Sequence, residues 1–288
     1  MRRAGLRINR YELLLAAVIS ARATSFIFSK LALEAMDTFN LLAVRCLLAF
    51  AVLAVLFFRR LRHIGRRTLL AGAAIGTAFF LCMSAELTAL HTASSSSVSL
   101  LENCAIVFVP LIDALLLRRL PDKKTAASTI AAFLGVLCLA LEQGGLSGGI
   151  FWGLAAALIY ACAIILTARF SHESEDPLCI GVVQVGTMGV LAMVASLLFE
   201  SPVLPQTAPQ WGMVAALALV CTCFGFTLQP LAQSRISAER AGVFCAINPA
   251  VASLLGVCVL HESIGALGLL GLVLILSAIA MPAVVRDR

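Results

Sequence analysis

Apolar residues run along this chain in ten blocks of about twenty, separated by short polar stretches. The blocks are residues 12–31, 39–58, 68–88, 96–117, 125–142, 149–169, 178–199, 211–231, 242–260 and 265–285. A helix rises 1.5 Å per residue, so each block matches the roughly 30 Å hydrocarbon core of a bilayer. The pattern predicts an all-α membrane protein of ten transmembrane helices with little chain between them. The first block follows Arg2, Arg3, Arg7 and Arg10, as a secretory signal would. Arg22 interrupts it, however, and no small-residue cleavage site opens a soluble domain, so it is expected to be a retained helix.

Composition agrees: 61% of the 288 residues are hydrophobic, 12% are charged, and mean hydropathy is +1.02. Charge placement then sets an orientation. From an inside N-terminus, 18 of the 21 Lys and Arg fall in cytoplasmic connections, five of them (Arg59, Arg60, Arg62, Arg66, Arg67) after the second block. The other three, Arg22, Lys30 and Arg45, lie within blocks or at their edges. The outer connections carry Glu34, Asp37, Glu142, Glu200 and Glu262. This positive-inside pattern predicts a multi-pass protein of a bacterial inner membrane with both termini cytoplasmic. The net charge of +6 follows from topology and implies no nucleic-acid partner. The ten cysteines sit in or beside apolar blocks without ligand-like spacing, and no His pair has metal-ligand spacing, so neither metal nor cofactor is expected.

Residues Ser94 to Arg119 resemble Ser237 to Glu262 in layout, about half a chain apart, which predicts two repeats, 1–143 and 144–288. Five helices each is an odd number, so the second repeat must be inverted relative to the first, as in many secondary carriers whose substrate binds between the halves. Pro110 and Pro249 are expected to interrupt matching helices, as hinges or as tolerated kinks. Gly72 with Gly76, and Gly145 with Gly149 and Gly153, have the small-xxx-small spacing of close helix packing.

A charge near a helix centre costs roughly 2.5–3.5 kcal/mol on the insertion scale, so each one needs a partner, water or a function. Arg22 lies about 16 Å into the first helix, near the midplane. Ser95, Ser99, Glu102 and Asn103 share one side of the fourth helix and form a polar stripe expected to face a cavity. Glu102 and Arg45 lie at similar depth, about 9 Å from the outer end, with Glu86 nearby. They are candidates to pair, or to hold a zwitterion together. The candidate substrate or coupling residues are therefore Glu102, Arg22, Arg45, Glu86, Asn103, Ser99, Tyr160, Gln184 and Asn248. Lys30 and Gln229 rank behind them. The alternative for the charged residues is a permanent ion pair that locks helices together. No catalytic residue is assigned: the chain lacks a nucleophile elbow, a phosphate-binding loop and a His-Glu-x-x-His pattern.

Four stretches, TSFIFSKLAL (24–33), FNLLAVRCLLAF (39–50), VFVPLIDALLLRRLP (107–121) and INPAVASLLGVCVLHE (247–262), resemble the EamA-domain carriers of the ten-helix drug/metabolite transporter superfamily. By that resemblance Lys30, Arg45 and Glu262 occupy positions where the family often has a basic, a basic and an acidic residue. Arg22-Ala23 stands where many members have Trp-Gly, and Asn248-Pro249 where many have Glu-Pro. The resemblance implies transport, and efflux as its direction. The expected function is secondary active transport of a small metabolite, an amino acid or similar polar or amphipathic solute, by alternating access. Protons are the candidate coupling ion, and the carrier is a monomer or homodimer in the lipid bilayer. Two other readings remain: a membrane-embedded enzyme acting on a lipid or isoprenoid phosphate, and a non-transporting partner of another membrane polypeptide.

Overall fold

The computed structural model describes residues 10–116, 123–142, 148–173, 176–235, 247–261 and 265–284. Glu262 and Gly145 lie outside the described residues. Everything regular among those described is helical. Six stretches are long and apolar enough to cross a membrane: Arg10–Ala32, Thr38–Leu56, Arg66–Leu90, Gly148–His172, Pro177–Phe199 and Ala208–Gln233. Large apolar side chains such as Phe133, Phe151, Leu198 and Phe199 face outward, while Arg45, Glu86, Glu102 and Gln184 are inside. An apolar exterior around a polar interior is the arrangement of a multi-pass membrane protein.

The first stretch is two helices, α1 (Arg10–Ala23) and α2 (Ser25–Ala32), divided at Thr24, whose hydroxyl donates to the Ala21 carbonyl at 2.7 Å. Then come α3 (Thr38–Leu56), the short α4 (Phe58–Leu61) and α5 (Arg66–Leu90). The fourth block is also divided, into α6 (Ser95–Asn103) and α7 (Ala105–Leu116). Its break falls at Cys104, and α7 continues through Pro110, where an interruption was expected. The Cys104 amide bonds the Leu101 carbonyl three residues back, a tightened turn that ends α6 first. Next are α8 (Lys123–Glu142), α9 (Gly148–Glu173) and α10 (Pro177–Phe199). The eighth block forms α11 (Ala208–Ala216), a π-helical segment (Leu217–Phe226) and α12 (Thr227–Gln233), with Pro230 inside α12. The last described helices are α13 (Ile247–Leu260), which contains Pro249, and α14 (Ala266–Val284).

Local chemistry starts several of these helices. Asp176 caps α10 by accepting from the Cys179 amide, with Pro177 in the first turn, where a missing N–H breaks no bond. Thr207 and Gln210 form a capping box on α11. The α3 cap comes from elsewhere. Asp37 makes no side-chain cap bond, and Glu200, at the end of α10, accepts from the Phe39 and Asn40 amides at 2.9 and 2.7 Å. A carboxylate there also favours the positive end of the helix dipole. Glu200→Ala is expected to lower stability by about 1 kcal/mol, with Glu200→Gln intermediate, as measured by unfolding in detergent.

Glycine sets the tightest crossings. A Cβ on Gly72 would lie 2.6 Å from Val183 Cβ, and one on Gly76 would lie 2.6 Å from the Gln184 carbonyl, so α5 and α10 meet nearly backbone to backbone. Gly153 likewise admits Leu101 between α9 and α6. α10 thus packs on both α5 and α3, and Gln184 on it is fully buried. α1 packs on the π segment, α12 and α13, α9 packs on α5 and α6, and α8 pairs with α14.

Candidate functional site

Beside Glu12, which is buried near the start of α1, the first four helical stretches bring in four titratable residues: Arg22 from α1, Arg45 from α3, Glu86 from α5 and Glu102 from α6. All four are 6% exposed or less. Two arginines and two glutamates thus share a buried region, where opposite charges offset one another's desolvation. Glu86 is within electrostatic reach of Glu102, Arg45 and Arg22, and Glu102 is within reach of Arg22.

Arg22 is held from the other half of the chain. Its Nη1 donates to the Tyr160 hydroxyl at 3.1 Å and to Gln229 Oε1 at 2.7 Å. The guanidinium carbon lies 4.3, 5.3 and 5.5 Å from the ring centroids of Phe226, Tyr160 and Phe79. Three ring faces around a desolvated cation supply part of the stabilisation that water has withdrawn. Gly225 completes the collar, since a Cβ there would sit 2.7 Å from Arg22 Cγ.

Arg45, fully buried, ties three helical stretches together. Its Nε donates to Thr222 Oγ1 at 3.3 Å and its Nη1 to Ser29 Oγ at 3.5 Å, while Nη2 has no hydrogen-bond partner. Thr222 can accept because its own hydroxyl points back to the Leu217 carbonyl, five residues earlier, at 2.8 Å. That spacing belongs to the π segment, a helical variant found often at functional sites. The cysteines on either side of Thr222 face opposite ways: Cys221 donates to the Ala21 carbonyl of α1 and Cys223 to the Ala49 carbonyl of α3.

The carboxylates are poorly supplied with donors. Glu102 Oε1 receives only the Cys82 thiol, at 3.7 Å, while Glu102 Oε2 and Glu86 Oε1 receive no hydrogen bond. Ser99 Oγ and Asn103 Oδ1 are also unpartnered, although Asn103 Nδ2 donates to the Ser99 carbonyl at 2.8 Å. Both amide atoms of Gln184 and the Oδ1 of Asn248 lack partners, and both residues are buried. A buried polar atom left without a partner costs roughly 1–3 kcal/mol, which makes these residues candidates to receive water or a ligand.

The structure therefore gathers Arg22, Arg45, Glu86 and Glu102, and joins Tyr160 and Gln229 to Arg22. Ser99 and Asn103 lie on α6 beside Glu102, but every residue of α6 is buried, so the expected polar stripe is covered by protein. Arg45 bonds Ser29 and Thr222 instead of pairing with Glu102. Lys30 Nζ donates to the Ala93 carbonyl at 2.6 Å. Sequence reasoning missed Phe79, Phe226, Thr222, Ser29 and Cys82. Aromatic and small polar residues in a membrane helix carry no mark distinguishing a collar from a core; only Gly225, beside Phe226, hinted at close approach.

Residues 10–141 and again 147–283 match the EamA-like transporter family. The chain belongs to that family. As an EamA-like transporter of the drug/metabolite superfamily it carries the domain twice, so the duplication inferred from the two similar stretches is real at the level of family sequence. Relatives include an uncharacterized transporter of Archaeoglobus fulgidus, 25% identical over 276 residues, covering 95% of this chain and 96% of that one. Another is the uncharacterized transporter YetK of Bacillus subtilis, 23% identical over 290 residues, covering 95% and 87%. A crystal structure 18% identical superposes with a TM-score of 0.70 over 94% of this EamA-like transporter and 95% of its own chain, a likeness of fold.

Proposed function

We propose that this EamA-like transporter is a secondary active carrier of a small zwitterionic or amphipathic metabolite, an amino acid or similar solute, working outward by alternating access in a bacterial inner membrane. It is built from ten spans in two inverted five-helix repeats, 1–143 and 144–288, with both termini cytoplasmic. The observation that carries this reading is the buried set of Arg22, Arg45, Glu86 and Glu102, in which Arg45 Nη2, Glu86 Oε1 and Glu102 Oε2 have no hydrogen-bond partner. Arg45 Nη2 offers a donor to a substrate carboxylate, and the free oxygens of Glu86 and Glu102 offer acceptors to an ammonium group or a proton.

Helix contacts support the repeat. Exchanging the first five spans for the last five turns each major contact into another observed contact. α1 packs on α13 as α9 packs on α6, and α1 packs on the π segment as α9 packs on α5. α5 meets α10 as the π segment meets α3, while α3 with α10, α6 with α13 and α8 with α14 exchange into themselves. Connections also meet connections of the same expected side. Arg60 pairs with Asp176 at 3.7 Å on the side read as cytoplasmic, and Thr38 bonds His91 at 3.0 Å on the other.

The test is a flux assay on purified protein in vesicles, using a panel of amino acids, nucleotides, sugars and amphipathic cations. Saturable movement of one zwitterionic class, dependent on a proton gradient or on counter-substrate, is expected. Equal, unsaturable leak of every solute with and without protein would end the carrier reading.

A further inference from the structure

The end of α3 opposite Glu200 carries a feature that transport does not use. At Phe57 the backbone leaves helical geometry (φ −109°, ψ 17°), and α4 turns away from α3. The corner leaves a recess of about 430 Å³ lined by Val55, Leu56, Phe57, Phe58, Arg59 and Arg60. One part of that lining is apolar and exposed, with Val55 at 79% and Phe58 at 57%, and the other is two exposed guanidinium groups. Arg62 lies over the Phe58 ring at 5.6 Å, and Arg66 and Arg67 follow on the first turn of α5.

We propose that this recess binds the headgroup of an anionic phospholipid, and that the lipid phosphate competes with Asp176 for Arg60. The recess has the two-part chemistry of such a molecule at a membrane surface. Acyl carbons lie along Val55 and Leu56, Phe58 sits at headgroup level, and the planar forks of Arg59 and Arg60 match phosphate oxygens. A basic loop alone satisfies the charge bias of membrane insertion; it does not require an apolar recess beneath two arginines.

The competition follows from the pair already present. Arg60 Nη1 is 3.7 Å from Asp176 Oδ2, in a pair whose side chains are 61% and 36% exposed, so it is weakly held and displaceable. Asp176 starts α10, in the second EamA repeat, and Arg60 lies in α4, in the first. A bound lipid therefore loosens a surface tie between the two repeats.

The experiment uses the full chain in neutral detergent, with phosphatidylglycerol or phosphatidylcholine of identical acyl chains, and bound lipid counted by native mass spectrometry. Phosphatidylglycerol is expected to be retained preferentially. Each arginine near an anionic surface contributes about fivefold, so the double variant Arg59→Gln/Arg60→Gln should lose roughly 20-fold of the preference. Arg66→Gln/Arg67→Gln removes the same charge outside the recess and should lose less than about fivefold. Asp176→Asn keeps a competent helix cap, frees Arg60 and should strengthen retention. Equal losses in the two double variants, or no gain in Asp176→Asn, would overturn the proposal. So would displacement of the lipid by inorganic phosphate at matched concentration, which would mark a site for a soluble anion. None of these readouts depends on transport, so the proposal and the carrier reading fail independently.

Discussion

Arg22→Ala is expected to lower the free energy of unfolding in detergent by roughly 3 kcal/mol or more and to reduce transport about a hundredfold. Three losses combine. Gln229 Oε1 and the Tyr160 hydroxyl lose a charged donor in a dry interior, and the collar of Phe79, Tyr160 and Phe226 loses its cation. Glu86 and Glu102 are also left with one fewer positive charge within reach. Arg22→Lys restores the charge without the planar fork, so it should recover part of the stability and little of the flux. A protein with alanine at position 22 that unfolds and transports like the parent would make the collar incidental.

Glu102→Gln should behave in the opposite way. The Glu102 carboxylate has one weak thiol donor at Oε1 and none at Oε2, so a neutral amide of the same shape gives up little. Stability is expected to change by less than about 1 kcal/mol, or to rise, because an under-solvated charge has been removed. Transport driven by a proton gradient should fall at least tenfold, while exchange of labelled for unlabelled substrate should survive better, since exchange needs no net proton movement. Unfolding in detergent and the two flux assays separate these effects. Gradient-driven flux that persists unchanged would remove Glu102 from coupling; a collapse in stability would make it a structural charge.

Much of this fold was readable because a bilayer imposes a length on any helix that crosses it. Each of the ten blocks overlaps an observed helix, and the Gly72–Gly76 spacing does bring α5 and α10 close. The family was legible from short stretches spread over both halves, and the matches to residues 10–141 and 147–283 establish it. Interruptions were read less well. Proline at position 110 was the obvious signal, but the break falls at Cys104, where one amide reaches back three residues instead of four. The π segment has no sequence signature at all, since LALVCTCFGF reads as any apolar helix.

The charged residues were visible for a different reason. Arginine and glutamate are so unfavourable in hydrocarbon that their mere presence at 22, 45, 86 and 102 is informative. Their partners were hidden because they are distant in sequence. Arg22 reaches Gln229 across 207 residues and Arg45 reaches Thr222 across 177, and no local pattern announces either meeting. The Glu200 cap on α3 was hidden in the same way, because a helix start is normally sought in its own flanking residues.

The widened turn at 217–226 ties the two arginines to one mechanical element. Its bonds skip five residues where ordinary helix skips four, so a return to the tighter winding swings everything downstream by about 100°. Thr222, which holds Arg45, sits within that coil, and Gln229, which holds Arg22, lies three residues past its end. A single slip of winding would thus release both grips at once, as one cam turns two latches.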